Sequence, residues 1–142
     1  MTAEQDKQIA QLLLETKTIA LEIASPKPER ASNRILQFLL AQGYDVYPVN
    51  PGLAGERIAG REVYGSLEDI PVPIDMVDIF RRSDSVEPIV TRAIKAQAKA
   101  VWMQLGVINT QACDLAQAAG LEVVMDKCPA IEIPRLKTLG LM

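Results

Sequence analysis

The chain contains no histidine, and its two cysteines, Cys113 and Cys128, stand apart with no CxxC pair. Without imidazole, a Ser-His-Asp or Cys-His nucleophilic site cannot be assembled from one chain. Two separate thiols also leave too few soft ligands for a structural zinc site. Carboxylate chemistry stays open but has no positive signal. There is no excess of positive charge: 15 Lys and Arg stand against 18 Asp and Glu, a net charge of -3. That excludes nucleic-acid binding driven by bulk electrostatics, which needs a net basic face. A small anionic ligand needs only a local cluster of donors. No apolar run reaches the roughly 18 residues of a membrane span. The first residues, MTAEQDKQIAQLLLETK, are polar and acidic rather than basic, unlike a secretory signal. A cytoplasmic protein with no membrane or nucleic-acid partner is expected.

What is present is ordinary globular material. The 142 residues are 49% hydrophobic and 23% charged, enough for one domain of residues 1–142 around one core. Residues 3–15 place Ile9, Leu12 and Leu13 at helical spacing, an amphipathic N-terminal helix. Residues 17–24 read as a buried strand. Pro26 and Pro28 make residues 25–30 a loop. A helix then opens at Ala31 or Ser32, with Ser32 as its cap, and stops at Gly43. Residues 44–49 form a second strand, ended by Asn50-Pro51-Gly52. A glycine-bearing loop, a short segment at 62–64 and one helical turn at 66–70 follow, Ser66 and Asp69 resembling a weak capping box. Residues 74–80 form a buried strand, and Ser83 or Asp84 caps a helix to about Ala98. Residues 100–105 are a strand, Asn109 caps a helix to Ala119, and 121–125 is the last strand. Residues 128–142 hold two prolines and are expected as an extended C-terminal tail. Strands alternating with helices predict an α/β, Rossmann-like fold: a doubly wound, mostly parallel sheet of five to six strands.

In an open parallel sheet, ligands bind beyond the carboxyl ends of the strands, where strand order reverses. The loop after the first strand leads into a helix start, which carries partial positive charge and unpaired N–H groups suited to phosphate. Lys27, Arg30 and Arg34 bring three charges near it; the plain alternative is a solvated cationic face. Asn50 and Pro51 follow the second strand, where dinucleotide enzymes place an acid for ribose. The amide of Asn50 speaks against NAD, and by itself Asn-Pro is an ordinary turn. Arg81-Arg82 leaves the strand at 74–80; adjacent side chains diverge, so Arg81 alone is expected to face a ligand. Gln104-Leu105-Gly106 offers a hydrogen-bonding side chain and a flexible backbone, or simply a strand break. Trp102 and Cys113 read as packing. Cys128 beside Lys127 reads as a structural cysteine before a reactive thiol.

Several segments, in order, resemble a known family. They are Lys17-Thr18-Ile19-Ala20-Leu21, Ala24-Ser25-Pro26-Lys27-Pro28, Val49-Asn50-Pro51, and residues 75–81, 102–106 and 123–129. As a set they resemble the single-domain CoA-binding proteins, relatives of the nucleotide-binding domain of the succinyl-CoA synthetase α subunit, over residues 10–136. The resemblance implies a Rossmann-like domain binding coenzyme A through its ADP part. The pyrophosphate would lie at Ala24, Ser25, Pro26, Lys27, Arg30, Ser32, Asn33 and Arg34. The adenosine end would lie against Val49, Asn50, Pro51, Phe80, Arg81, Gln104, Leu105 and Gly106. No catalytic residues carry over, and the phosphorylated histidine of a synthetase is absent.

One departure matters. The family usually has glycine at the position of Ile23, with a small or apolar residue at that of Glu22. Glycine there lets the backbone approach phosphates closely. Ile23 adds bulk, and an acid near an anion site costs on the order of 1 kcal/mol or more outside bulk water, unless Glu22 pairs with Lys27 or Arg34. Coenzyme A binding weaker than in a glycine-bearing relative is expected, strengthened by Glu22→Val with Ile23→Gly. The expected function is non-catalytic binding of coenzyme A or an acyl-CoA, as carrier, sensor or regulator. The alternative is a protein that kept the fold, lost the ligand and acts through protein–protein contacts. An enzyme of CoA thioesters or of nicotinamide is disfavoured by the missing histidine, ribose acid and GxGxxG.

Overall fold

A computed structural model describes residues 2–142. Five strands form its centre: β1 (Thr18–Glu22), β2 (Asp45–Val49), β5 (Met76–Ile79), β6 (Ala100–Met103) and β7 (Glu122–Val124). They make one parallel sheet in the order β2-β1-β5-β6-β7. A separate hairpin pairs β3 (Arg57–Ile58) with β4 (Arg61–Glu62). It is tied to β2 by the Arg61 guanidinium, which donates to the Val46 carbonyl at 2.9 Å and pairs with Asp45. The helices are α1 (Ala3–Glu15), α2 (Ala31–Ala41), α3 (Val86–Lys95), α4 (Thr110–Ala118) and α5 (Pro129–Thr138). No helix among the described residues is long and apolar enough to cross a membrane.

Side-chain alternation along the strands builds a core on each face of the sheet. Ile19, Leu21, Met76 and Trp102 meet α1, α2 and α5 on one face. Ala20, Val77, Ile79, Val101 and Met103 meet α3 and α4 on the other. Both faces being covered fits the apolar runs Ile19–Leu21, Met76–Val77 and Ala100–Met103 in these strands. Trp102 is fully buried, and its indole N–H donates to the Lys127 carbonyl at 2.7 Å.

Chain order and sheet order diverge at one place. From β1 the chain moves outward to β2, then crosses back to β5 on the opposite side of β1. The reversal lies between β1 and β5, and their carboxyl ends open a crevice there.

Three local expectations are corrected. The tail at 128–142 is not extended, because residues 129–138 form α5. Pro129 stands in the first turn, where a missing N–H costs little. Pro134 inside the helix costs about 3 kcal/mol. Fully burying Ile133 and Leu136 returns about 1.5–3 kcal/mol each. Arg135 adds hydrogen bonds to Asp6 of α1 and to Glu132, both at 2.8 Å. Ser32 does not cap α2; Arg30 holds that position without a side-chain cap bond, and Ser32 is buried inside the first turn. Neither Ser83 nor Asp84 opens α3, which begins at Val86 after a 3-10 turn over Ser83–Ser85 and ends at Lys95. Asn109 does cap α4, accepting from the Ala112 N–H at 2.9 Å.

Candidate functional site

A cleft of about 620 Å³ opens at the reversal point between β1 and β5. Its floor is the exit of β1, fastened to both neighbouring strands. The Ala24 N–H donates to the Val49 carbonyl at 3.0 Å, and the Ile23 N–H to the Phe80 carbonyl at 3.4 Å. Two asparagines brace the same turn. Asn50 Nδ2 donates to the Ala24 carbonyl and Asn33 Nδ2 to the Ser25 carbonyl, each at 2.9 Å. Their oxygens are used as well: Asn50 Oδ1 accepts from the Gly52 N–H, and Asn33 Oδ1 accepts from Gln37. These two residues hold the cradle in shape, and Asn33 is buried beneath it.

The predicted residues divide clearly. Ala24, Ser25, Pro26, Lys27, Arg30 and Ser32 line the cleft from the β1 side, at the start of α2. Asn50, Phe80, Arg81, Gln104 and Leu105 line it from the exits of β2, β5 and β6. Five residues do not line it. Val49 is fully buried in the core, and Asn33 lies under the turn. Arg34 turns back to donate to the Glu29 carbonyl. Pro51 starts the 3-10 turn after β2. Gly106 shapes the loop after β6, with a positive φ of 86° and its N–H donating to Asp126 Oδ1 at 2.7 Å.

Ile23, Ala31, Arg82 and Val107 also line the cleft. Arg82 lines the cleft beside Arg81, with its side chain largely exposed and its Nε 3.5 Å from Asp84 Oδ1. Adjacent side chains diverge within a strand, but β5 ends at Ile79 and residues 81–82 are already irregular. The double-arginine exit was itself the available signal.

The electrostatics are local and one-sided. Lys27, Arg30, Arg81 and Arg82 line the cleft, and no carboxylate among the described residues does, although Arg82 pairs with Asp84 at 3.5 Å and the chain as a whole is net acidic. Arg30 supplies no side-chain cap to α2; the Asn33 and Arg34 N–H groups donate to the Arg30 carbonyl at 3.1 and 3.2 Å, and Ala31 and Ser32 of the first turn line the cleft. On the β6 side Gln104 is buried, and its carboxamide oxygen has no hydrogen-bond partner among the described residues. A buried acceptor left unpaired costs about 1–3 kcal/mol, although this oxygen is itself closed to solvent.

The acid at the end of β1 behaves differently from expectation. Glu22 pairs with neither Lys27 nor Arg34. Strand alternation turns it to the α3 face, where Arg92 donates to its Oε1 at 3.1 Å. It is buried to 3% exposure and does not line the cleft. Burial pushes its carboxyl above the usual range, opposed by the charges of Arg92 and Arg81. Ile23 alone brings bulk to the site.

A second acid lies deeper. Asp78 of β5 sits in register between Leu21 and Trp102, fully buried, with no hydrogen-bond partner on either oxygen among the described residues. Loss of solvation pushes its carboxyl up to about 8, so the protonated form prevails at neutral pH. It lies on the sheet face covered by α1, α2 and α5 and does not line the cleft. A larger groove, about 730 Å³, runs along the outer edge of β7 between α1 and α4. Lys127 is its one cation among two glutamines of α1 and the strand itself, so it lacks the chemistry of the first cleft. Burial raises the Cys113 thiol, and Cys128 is buried; neither forms a disulfide.

Known proteins share this architecture and sequence. A structure of a hypothetical protein from Pyrococcus horikoshii OT3 is 44% identical, with a TM-score of 0.88, covering 93% of this chain and 92% of that one. One from Thermus thermophilus is 33% identical, with a TM-score of 0.88, covering 92% and 98%. The uncharacterized protein YneT of Bacillus subtilis (strain 168) is 31% identical over 121 residues, 85% of this chain and 88% of that protein. The family model described as a CoA binding domain matches residues 17–134, from the start of β1 through most of α5. On that match, and with the cleft formed where strand order reverses, this chain belongs to the CoA-binding domain family.

Proposed function

We propose that this protein binds coenzyme A, or a thioester of it, without catalysing a reaction, and serves as a carrier, sensor or regulator of that cofactor. The observation that carries the reading is that Lys27 and Arg30 at the uncapped start of α2 share one cleft with Arg81 and Arg82 from the β5 exit, with no carboxylate in its lining among the described residues; Arg82 also pairs with Asp84 at 3.5 Å. A diphosphate is the group such a cradle fits, because backbone N–H groups and fixed positive charge both favour it. The Gln104 side chain, which lines the cleft, adds a carboxamide that can hydrogen-bond adenine or the pantetheine arm. Lys27, Arg30, Arg81 and Arg82 would hold the phosphates; Asn33 and Asn50 keep the turn in place.

The reading in which the ligand has been lost rests on the Glu22-Ile23 pair, of which Ile23 lines the cleft. Glu22 is turned to α3 and neutralised by Arg92, so the acid is not there. Isothermal titration calorimetry with coenzyme A, adenosine 3′,5′-bisphosphate and NAD tests the proposal. Saturable binding of the first two, with NAD weaker, is expected. At a hundredfold excess over Kd the ligand should add about 2.7 kcal/mol of stability. Absence of any thermal shift with coenzyme A overturns the reading.

A further inference from the structure

The cations of the cleft stand in two groups on different elements. Lys27 and Arg30 belong to the turn after β1 and the start of α2, where Ala31 and Ser32 join them in the lining. Arg81 and Arg82 belong to the exit of β5, directly after Phe80. The first group, two cations at a helix start, balances the two charges of a diphosphate. The second group is then left without a counterpart. Arg81 is exposed, and its guanidinium has no hydrogen-bond or ion-pair partner among the described residues. Glu22, whose carboxyl feels the Arg81 charge, is bonded to Arg92 instead. Arg82 pairs with Asp84 at 3.5 Å, but both side chains are largely exposed, so that pair is weak and readily exchanged.

A site that holds the bare ribose of a nucleotide offers it a carboxylate, which accepts from the hydroxyls; a site that holds a ribose phosphate offers arginine. This cleft offers arginine, and no carboxylate among the described residues lines it. The arginines also stand beside the part of the lining suited to a purine. Phe80 precedes them at the β5 exit, and Gln104 and Leu105 come from the exit of the neighbouring β6, giving apolar surface with one carboxamide. A purine there brings its ribose to the β5 exit, with the diphosphate running to the start of α2. A phosphomonoester carries close to two negative charges at neutral pH and three acceptor oxygens, which a guanidinium fork engages in pairs. Resting on the coenzyme A reading above, we infer that Arg81, seconded by Arg82, reads the 3′-phosphate of the ribose. The protein thereby selects nucleotides phosphorylated on that ribose over those that end in a plain one.

The test is calorimetry with coenzyme A and dephospho-coenzyme A, which differ only in the 3′-phosphate. Both are titrated into the unaltered protein, Arg81→Ala, Arg82→Ala and Lys27→Ala. The quantity read is the ratio of the dephospho-coenzyme A Kd to the coenzyme A Kd, which cancels any general change in the site. In the unaltered protein it should be about tenfold or more, the size of a charge-assisted hydrogen bond. It should fall toward one in Arg81→Ala, and part of the way in Arg82→Ala, because Arg82 is shared with Asp84. Arg81→Lys, which keeps the charge and loses the fork, should also retain part of it. In Lys27→Ala both ligands should weaken together and leave the ratio as it was, since the diphosphate is common to them. A ratio near one in the unaltered protein overturns the inference while leaving coenzyme A binding intact. A ratio unchanged in Arg81→Ala, with both ligands weakened alike, also overturns it and gives Arg81 to the diphosphate. Failure of both ligands to bind overturns this inference and the coenzyme A reading together.

Discussion

Replacing Asp78 with asparagine should flatten the dependence of stability on pH. Asp78 is fully buried with neither oxygen partnered among the described residues, and burial moves its carboxyl from an ordinary 3.8 to about 8. In the unfolded chain the group ionises near the ordinary value; in the folded chain it keeps its proton until about 8. Folding therefore binds a proton throughout that interval, and stability falls as pH rises from about 4 to about 8. Each pH unit crossed within it removes about 1.4 kcal/mol. Most of the loss, about 3–4 kcal/mol, should fall between pH 5 and 8. This window is unusually quiet, because the chain has no histidine to titrate in it. Glu22, raised by burial, contributes in the same direction, but equally in both proteins. The assay is urea denaturation at about pH 5, 6, 7 and 8 for the parent and Asp78→Asn, compared as a difference at each pH. The parent should lose stability relative to the variant by about 3–4 kcal/mol across the series. Profiles that stay parallel within about 0.5 kcal/mol would refute the reasoning and mean that Asp78 finds a partner in solution.

Lys27→Ala and Arg81→Ala should each weaken coenzyme A about tenfold or more by calorimetry, the size of a lost charge-assisted hydrogen bond. Raising the salt concentration should shrink that difference. Ile23→Gly should tighten binding severalfold by clearing the cradle, whereas Glu22→Gln should change it less than about twofold because Glu22 faces Arg92. Equal effects of the two substitutions would place the acid back in the cleft. Gln104→Leu should raise the stability of the free protein by about 1 kcal/mol, since a buried unpaired oxygen is removed, and should weaken coenzyme A. Loss on both counts in melting and titration experiments would show that the oxygen already has a structural partner.

The alternation of strands and helices was legible because each element carries its own period, and Gly43 and Asn109 punctuate it with local chemistry. The region of the cleft was legible for the same reason: parallel topology places the loops after the strands on one edge. What escaped reading depends on contacts distant in sequence. The partner of Glu22 is Arg92, 70 residues away on α3, and nothing near Glu22 points to it. Helix α5 was hidden by Pro129 and Pro134, whose local cost is overridden by packing of Ile133 and Leu136 and by Arg135 reaching Asp6. Asp78 sits in a strand covered on both faces. Its neighbours Met76, Val77 and Ile79 announce burial, but only the sheet shows that no donor meets it.

The two asparagines under the cradle bear on how a ligand arrives. Because Asn33 and Asn50 hold the Ser25 and Ala24 carbonyls before anything binds, this turn is already set in shape. A guest need not spend its attraction on freezing a wandering turn, so little ordering entropy opposes capture. Encounter should then be governed by diffusion and by the pull of four positive side chains, and residence by how well the guest fills a shape already cast.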